Sequence, residues 1–265
     1  MEKVILITGA SSGFGKATAE LLSEKGNIVY GACRRKMEDE KIHYIQLDVS
    51  KPETIEPAVE AIVAKEGRID VLINNAGMGI GGALELATEE EIKMQMETNF
   101  MGCVNMCQKV LPHMRRQGRG KIINLSSIGG VMGLPYQGFY SASKFAIEGF
   151  TEALSAEVTG FGIAVTMVEP GDFATNFTAS RRNSERTLQD PVYGPIFKRT
   201  LAGIEKEENG GLKPEKLARK IAQIVDCKHP QLRYVVATME QRASIWLKKV
   251  IPGNWMVAIL RDYYK

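Results

Sequence analysis

The sequence predicts one α/β domain in which helices cover both faces of a parallel β-sheet. Short apolar runs alternate with longer segments of helical period, which is typical of parallel strands joined by right-handed crossovers. Several of these runs are apolar at consecutive positions, as expected of strands buried on both faces. The chain has 265 residues, 44% of them hydrophobic and 25% charged, which is an ordinary globular composition.

The predicted elements follow one another without a linker or a repeat, so residues 1–237 are expected to form one domain. Strands are expected at 4–7, 28–32, 42–47, 71–73, 121–125, 163–168 and 233–237. Helices are expected near 13–25, 51–66, 88–116, 140–160 and 214–226. Ser50, Pro52 and Glu53 predict a capped start for the second helix. Thr88 and Glu91 predict one for the third.

Two segments fall outside this pattern. Residues 172–212 are polar and interrupted by glycine and proline, and a connection of that length is usually a lid or binding loop. Residues 238–265 are predicted to form an amphipathic helical extension with Trp246 and Trp255 beside apolar residues and lysines. Three interpretations stay open for it: a flap over the substrate pocket, a subunit contact, or membrane-surface contact through 245–261.

Composition and charge exclude several classes of function. A formal charge of +3 gives no concentrated basic face for nucleic acid. No apolar run approaches the roughly 18 residues that span a bilayer, and the chain enters a strand at Lys3 without a signal peptide. The four cysteines are too scattered for a disulfide framework, and the three histidines are too isolated for a metal site. We therefore expect a cytoplasmic protein, with the membrane surface as an alternative location.

A glycine-rich turn directly follows the first predicted strand. Its glycines at 9, 13 and 15 allow a sharp turn and close approach to a pyrophosphate, whose charge the next helix N-terminus would bind. The same pattern also serves simple chain reversal, but its place after the first strand favours nucleotide binding. The residues expected to contact the nucleotide here are Gly9, Ser11, Ser12, Gly13, Phe14 and Gly15.

The end of the second predicted strand indicates which nucleotide is bound. NAD-binding proteins of this type carry an acidic residue there for the ribose hydroxyl, whereas this chain carries Arg34 and Arg35. Guanidinium groups bind a 2′-phosphate through paired, charge-assisted hydrogen bonds. The sequence therefore favours NADP(H) over NAD(H), although one of the two arginines is expected only to solvate a loop.

Tyr140 and Lys144 lie four residues apart at the start of a predicted helix and so share one of its faces. A free phenol has a pKa of about 10 and is a poor proton carrier at neutral pH. A cation at about 4 Å, in an effective dielectric of about 20, would lower that pKa by about three units. Tyr140 is therefore expected to act as general acid or base, with a solvated side-chain pair as the alternative.

Other polar residues follow buried strands or interrupt an apolar helix face. Ser126 and Ser127 follow the strand at 121–125, where a hydroxyl can bind a substrate oxygen. Asn99 falls within an apolar stripe, so its amide needs buried partners; it is either functional or a locally satisfied core asparagine. Further strand ends either form turns or line the cofactor cleft, at Asn75, Ala76, Gly77, Pro170, Gly171 and Thr175.

An apolar pocket is expected beside these groups, which suggests a hydrophobic ketone such as a steroid, a retinoid or a keto-lipid. Some of its expected wall residues can equally be ordinary core. They are Val131, Met132, Leu134, Pro135, Phe139, Phe173 and Phe177.

In their order and spacing these motifs resemble those of the short-chain dehydrogenase/reductase family in its compact form, over roughly residues 3–237. The resemblance implies a seven-stranded, doubly wound Rossmann sheet. It also implies that Ser127 orients the carbonyl, Tyr140 transfers the proton, and Asn99 anchors a water. Lys144 would hold the nicotinamide ribose and lower the pKa of the phenol.

The resemblance further places Asp48 and Val49 at the adenine and Arg34 at a position that is basic in NADP-preferring members. It implies a homodimer or homotetramer built on the helices at 88–116 and 140–160. We therefore expect an NADP(H)-dependent oxidoreductase that interconverts a ketone and a secondary alcohol on a hydrophobic substrate. The alternative is a catalytically idle nucleotide sensor or scaffold on the same fold, against which the intact Asn99, Ser127, Tyr140 and Lys144 argue.

Overall fold

A computed structural model describes residues 2–264, so the outermost residues of the predicted ranges, Met1 and Lys265, lie outside it. Seven parallel strands form one sheet in the order β3-β2-β1-β4-β6-β7-β9, which confirms the predicted doubly wound fold. These strands are β1 (Val4–Thr8), β2 (Ile28–Cys33), β3 (His43–Gln46), β4 (Val71–Asn74), β6 (Gly120–Leu125), β7 (Ile163–Pro170) and β9 (Arg233–Val236). A separate two-stranded sheet pairs β5 (Ile80–Gly81) with β8 (Arg182–Asn183).

Helices pack on both faces of the main sheet. One layer contains α2 (Pro52–Glu66), α4 (Gly102–Gln117) and α5 (Gly138–Val158), and the other contains α1 (Gly13–Glu24) and α9 (Pro214–Asp226). Alternate residues of β1 point to opposite layers: Val4 and Leu6 join the first core, and Ile5 and Ile7 join the second. Because all four are fully buried, the strand reads as one continuous apolar run.

The two predicted helix starts differ in outcome. Thr88 and Glu91 form the predicted capping box at the start of α3 (Glu89–Met96). The prediction for Ser50 was wrong, because Lys51 occupies the cap of α2 and makes no side-chain cap bond. The Ser50 hydroxyl instead donates to Asp48 Oδ1 at 2.7 Å, and the same oxygen accepts from the Ser50 backbone N–H.

The predicted helix at 88–116 is interrupted. Between α3 and α4 lies one π-helical stretch, Glu97–Met101, which contains Asn99. π-Helical turns inside α-helices are frequent at functional sites. The interruption turns Asn99 into the interior, where it is 1% exposed.

The segment 172–212, expected to be a lid or binding loop, contains regular secondary structure. It contains α6 (Phe177–Ser180), α7 (Glu185–Gln189) and the 17-residue α8 (Tyr193–Asn209), besides β8. Phe197, Thr200 and Ile204 are buried on one side of α8 at helical spacing. Only this narrow face is buried, so the surrounding glycines, prolines and charged residues obscured the helical periodicity in the sequence.

The C-terminal segment folds as two helices, α10 (Met239–Val250) and α11 (Gly253–Tyr263). Ile245 and Met256 on their inner side pack with Ile128 and Met132 in a third apolar cluster. Trp246 and Trp255 point outward and are 64% and 66% exposed. Within residues 2–264, no helix combines the length and hydropathy needed to cross a membrane.

Candidate active site

The candidate site lies at the carboxyl edge of the sheet. The strand order changes direction between β1 and β4, since β2 and β3 lie on one side of β1 and the later strands lie on the other. Ligands of open α/β sheets bind in the crevice at such a switch point. The strand ends at Thr8, Asn74, Leu125 and Pro170 surround it.

The glycine-rich turn after β1 is held by Asn75. Its side-chain amide donates to the backbone oxygens of Thr8 at 2.8 Å and Gly9 at 3.2 Å. The Thr8 hydroxyl accepts in return from the N–H groups of Asn75 and Ala76. Asn75 therefore builds the turn as well as lining the cavity beside it.

This turn fits a nucleotide pyrophosphate. Gly9 and Gly13 adopt φ of +68° and +53°, and a Cβ on Gly15 would lie 2.3 Å from the Gly9 carbonyl oxygen. Ser12 caps α1 without a side-chain hydrogen bond, so the first N–H groups of the helix are not occupied by a cap. Backbone N–H groups at a helix N-terminus are a ready anion site.

The residues predicted at the adenine end lie beyond this turn, away from the main cavity. Arg34 and Arg35 are exposed directly after β2, where their backbone oxygens accept from Gln46 and Cys33. Asp48 bonds Ser50, and Val49 is buried against Gly102, whose added Cβ would lie 2.8 Å from the Val49 Cβ. The two guanidinium groups are thus presented to solvent beside the nucleotide turn.

Ser127 and Tyr140 meet across the end of β6 and the first turn of α5. Both side chains lie beside Gly129 and line the same cavity, and the Ser127 oxygen accepts from the Gly129 N–H at 3.0 Å. A Cβ on Gly129 would lie 3.3 Å from the Tyr140 ring, so glycine keeps this space open. The structure therefore brings together the predicted serine and tyrosine. Ser126 lies beside them, buried, and also lines the cavity.

The expected lowering of the Tyr140 pKa was wrong. Burial raises the pKa of Tyr140 to about 12, although the neighbouring Ser127 hydroxyl opposes that change. The Lys144 ammonium lies 5.8 Å from the centre of the phenol ring and donates to the Leu125 carbonyl at 2.8 Å. Burial also lowers the pKa of Lys144 to about 8. Desolvation is therefore the largest influence on the pKa of the phenol.

Asn99 is fully satisfied by its neighbours. Its Oδ1 accepts from the Met78 N–H at 2.8 Å, and its Nδ2 donates to the Met78 carbonyl and to the Ser143 hydroxyl, each at 3.0 Å. Ser143 in turn donates to the Tyr140 carbonyl at 2.7 Å. Asn99 thus joins the loop after β4 to the second turn of α5. A Cβ on Gly77 would contact both Asn99 Oδ1 and Lys144 Nζ, which places these two groups side by side.

A cavity of about 700 Å³ opens in front of Ser127, Tyr140 and Lys144. Of the predicted substrate residues, Ser127, Met132, Leu134, Phe173 and Phe177 line it. Of the predicted cofactor residues, those that line it are Phe14, Asn75, Gly77, Tyr140, Lys144, Pro170, Gly171 and Thr175. The Tyr140 and Phe177 rings lie 5.8 Å apart, and Phe14 makes an edge contact with Phe173.

Three predicted wall residues do not line this cavity. Val131 packs beneath the C-terminal helices, where its carbonyl accepts from Lys248. Phe139 precedes Tyr140 on α5, and one residue corresponds to about 100° of rotation around a helix, so the two side chains point in different directions. Pro135 also lies outside the lining.

Sequence reasoning missed much of the far wall. It comes from the end of α8 and from the C-terminal helices, which a local motif search does not connect to Tyr140. The additional lining residues include Asp172, Ile204, Glu207, Glu208, Gln241, Met256, Ile259, Leu260, Tyr263 and Tyr264. The helical spacing of Met256, Leu260 and Tyr263 was the available signal. Of the interpretations left open for the C-terminus, this arrangement corresponds to a flap over the pocket.

Comparison with known proteins agrees with this geometry. A family model described as short chain dehydrogenase matches residues 3–186. The chain is 56% identical over 263 residues to a 3-ketodihydrosphingosine reductase of Bacteroides thetaiotaomicron, covering 99% of this chain and 98% of that protein. It is 35% identical over 248 residues to an NADPH-dependent 3-dehydrocapnine reductase of Ornithobacterium rhinotracheale, covering 88% and 87% of the two chains.

The fold is also similar to the folds of solved structures. A short-chain dehydrogenase from Streptomyces avermitilis superposes with a TM-score of 0.83 at 32% identity, covering 99% of this chain and 97% of that one. Similar structures hold NADP in one case and NADH in another, so the family uses nicotinamide nucleotides without a single preference. The matched family model, the near full-length relatives and the seven-stranded parallel sheet lead to one conclusion: this chain belongs to the short-chain dehydrogenase/reductase family, whose members are oxidoreductases.

Proposed function

We propose that this protein is an NADPH-dependent reductase of a long-chain 3-keto lipid, and that Tyr140 donates the proton to the carbonyl oxygen. The observation that carries the proposal is the 56% identity, over almost the whole chain, to a 3-ketodihydrosphingosine reductase. The cavity adds independent support, since Ser127 and Tyr140 share a wall with Met132, Leu134 and Phe173. An apolar cavity with a few convergent polar groups is the usual form of a small-ligand site.

Arg34 and Arg35 would hold the 2′-phosphate of NADPH, and the turn at Gly9–Gly15 would hold its pyrophosphate. Both guanidinium groups are exposed, next to a strand end that carries no carboxylate in the usual ribose position. When bound, the nicotinamide supplies the hydride that reduces the carbonyl carbon. We expect Arg34→Ala to raise KM for NADPH by roughly tenfold or more, the cost of one charge-assisted hydrogen bond, while KM for NADH changes little. An equal rise for both nucleotides would contradict the assignment.

The electrostatics suit Tyr140 to the proton-donor role. With a pKa raised to about 12 by burial, the phenol is neutral at pH 7 and carries the proton that a reduced carbonyl oxygen needs. Ser127, which lies beside Tyr140 in the same cavity, would hold the same oxygen in place. Lys144 would help to position Tyr140 through its hydrogen bond to the Leu125 carbonyl. Asn99 would do so through its hydrogen bond to Ser143.

NADPH oxidation by the purified protein tests this function. We expect turnover with 3-ketodihydrosphingosine and little with steroid ketones or retinal of equal concentration. Tyr140→Phe removes the hydroxyl and keeps the ring, so turnover should fall by at least about 100-fold, the loss of a general acid, while NADPH binding is kept. Binding of NADPH without turnover of any ketone by the unaltered protein would favour an idle nucleotide sensor.

We also propose a homodimer or homotetramer built on α4 and α5. Apolar side chains remain exposed on or next to these helices, at Met101 and Phe145. Subunit contacts commonly cover such residues. Light scattering coupled to gel filtration would give the mass directly, and a monomer of 29.2 kDa at micromolar concentration would refute this part of the proposal.

A further inference from the structure

The cavity is apolar over most of its wall but carries carboxylates on the side formed by β7 and α8. Asp172 follows Gly171 at the end of β7, and Glu208 lies near the end of α8. Both carboxylates act on Tyr140, whose pKa they raise beyond the effect of burial. Both also line the cavity that contains Tyr140, so they can face a substrate bound there.

Glu208 is already paired within the protein. Arg181, whose side chain is only 2% exposed, forms an ion pair with it, and the Thr178 hydroxyl donates to its second oxygen at 2.6 Å. Glu207 is exposed and accepts a hydrogen bond from the Tyr263 hydroxyl. The charge of Glu208 is thus compensated by Arg181, and the charge of Glu207 is accessible to solvent.

Asp172 is held differently. Its Oδ2 accepts from the Gln241 side-chain amide at 2.6 Å, and its backbone N–H donates to the oxygen of the same amide at 3.3 Å. A Cβ on Gly171 would lie 2.1 Å from that amide oxygen, so the glycine is required for this arrangement. Within residues 2–264, Asp172 has a neutral partner and forms no ion pair.

The chemistry of this carboxylate favours a cationic ligand. Burial, reinforced by Glu208 and Glu207, raises the pKa of Asp172 to about 6, so the group is still mainly ionised at pH 7. A half-buried carboxylate without a cation is costly, and a positively charged ligand group would offset that cost. The carboxylate is also fixed in place by Gln241, so binding a ligand would require little reorganisation.

We propose that Asp172 binds an ammonium group of the substrate and thereby selects long-chain ketones with an amine next to the carbonyl. This inference rests on the proposed ketone reduction at Tyr140. In a 2-amino-3-ketone the aminated carbon is bonded to the carbonyl carbon, so the ammonium must lie beside the oxygen that Ser127 and Tyr140 hold. Asp172 lines that same cavity and acts on Tyr140.

Two substrates that differ only in the amine test the proposal. One is 3-ketodihydrosphingosine, and the other is 1-hydroxyoctadecan-3-one, which keeps the chain and the hydroxyl but has no amino group. The unaltered protein should reduce the amino ketone with a kcat/KM roughly 10- to 100-fold higher than that for the neutral ketone, which is the range of a hydrogen bond between charged groups. Equal kcat/KM for the two substrates overturns the proposal without the need for any variant.

Asp172→Asn keeps an oxygen that can accept from Gln241 and removes the charge. The variant should lower kcat/KM for the amino ketone by the same factor and leave kcat/KM for the neutral ketone unchanged. Glu215→Gln, at an exposed carboxylate on α9 outside the cavity lining, is the matched control and should change neither value. A parallel loss on both substrates would show that Asp172 acts only on the structure of the site.

The failure of the two proposals can be told apart. If the unaltered protein reduces neither long-chain ketone with NADPH, the proposed function itself is wrong. If it reduces both ketones and Asp172→Asn changes both equally, the reduction stands and the ammonium site is refuted.

Discussion

Replacing Asn99 by alanine should separate its structural contribution from its effect on the active site. The side chain is 1% exposed and makes three hydrogen bonds, two of them to the backbone of Met78. Asn99→Ala leaves the half-buried Met78 N–H without its acceptor and the Ser143 hydroxyl oxygen without its donor, while that hydroxyl keeps its own bond to the Tyr140 carbonyl. At about 1–3 kcal/mol for a buried group left unsatisfied, we expect the free energy of unfolding to fall by about 3 kcal/mol.

Gln95 provides a matched control one turn earlier. Its side chain is also fully buried, accepts from the Ile80 N–H at 2.8 Å and donates to the Met78 carbonyl at 2.8 Å. Gln95→Ala should therefore cost a similar free energy of unfolding. It makes no hydrogen bond to Ser143, so the first two turns of α5, which carry Tyr140 and Lys144, should keep their position.

Urea denaturation and steady-state kinetics on both variants give the decisive comparison. We expect similar losses of stability but a kcat that falls by roughly tenfold or more only in Asn99→Ala, the range seen when a positioning contact is lost. Two results would refute this reasoning: a loss of less than about 1 kcal/mol in Asn99→Ala, well below the expected cost, or an equal kcat in the two variants at temperatures where both are folded.

Two further predictions concern the nucleotide turn and a buried acid. Gly15→Ala places a Cβ 2.3 Å from the Gly9 carbonyl, so NADPH affinity measured by fluorescence titration should fall by at least about tenfold; Gly133→Ala, which has no atom within 4 Å of its added Cβ, is the control and should bind normally. Glu169 is 0% exposed, and burial together with Glu148 raises its pKa to about 7 despite the ion pair with Arg233. The folded protein then holds a proton that the unfolded chain releases near its ordinary pKa of 4.5, so this group's contribution to stability falls as pH rises from 4.5 to 7. Chemical denaturation across that range should show Glu169→Gln gaining stability relative to the unaltered protein as pH rises, and a constant difference would count against the assignment.

Most of the fold could be predicted from the sequence because its signals are local. A strand buried on both faces needs consecutive apolar residues, as at Val4–Thr8, and such runs stand out without knowledge of their neighbours. The capping box at Thr88 and Glu91 spans four residues and can likewise be recognised from the local sequence. The cap at Ser50 failed because Asp48 competes for the same hydroxyl, and the sequence does not rank two local hydrogen bonds.

The order of the motifs along the sequence also predicted which residues would meet at the carboxyl edge of the sheet. Ser127 closely follows the end of β6, and Tyr140 lies near the start of α5. The two residues come together because the parallel fold sets the direction of both elements. The turn at Gly9 and Gly15 was predictable for the same reason, since its glycines are needed for contacts within the turn itself.

Only the tertiary structure decided the electrostatics and the shape of the pocket. The direction of the Tyr140 pKa depends on the desolvation of the phenol, and residues of α6, α8 and α11 form walls of the cavity that it lines. Asp172 meets Gln241 across 69 residues of sequence, and no local pattern encodes that contact. Periodicity and spacing along a chain specify elements and their ends, whereas desolvation and pairing of charge arise from groups that are distant in sequence and meet only after the chain has packed.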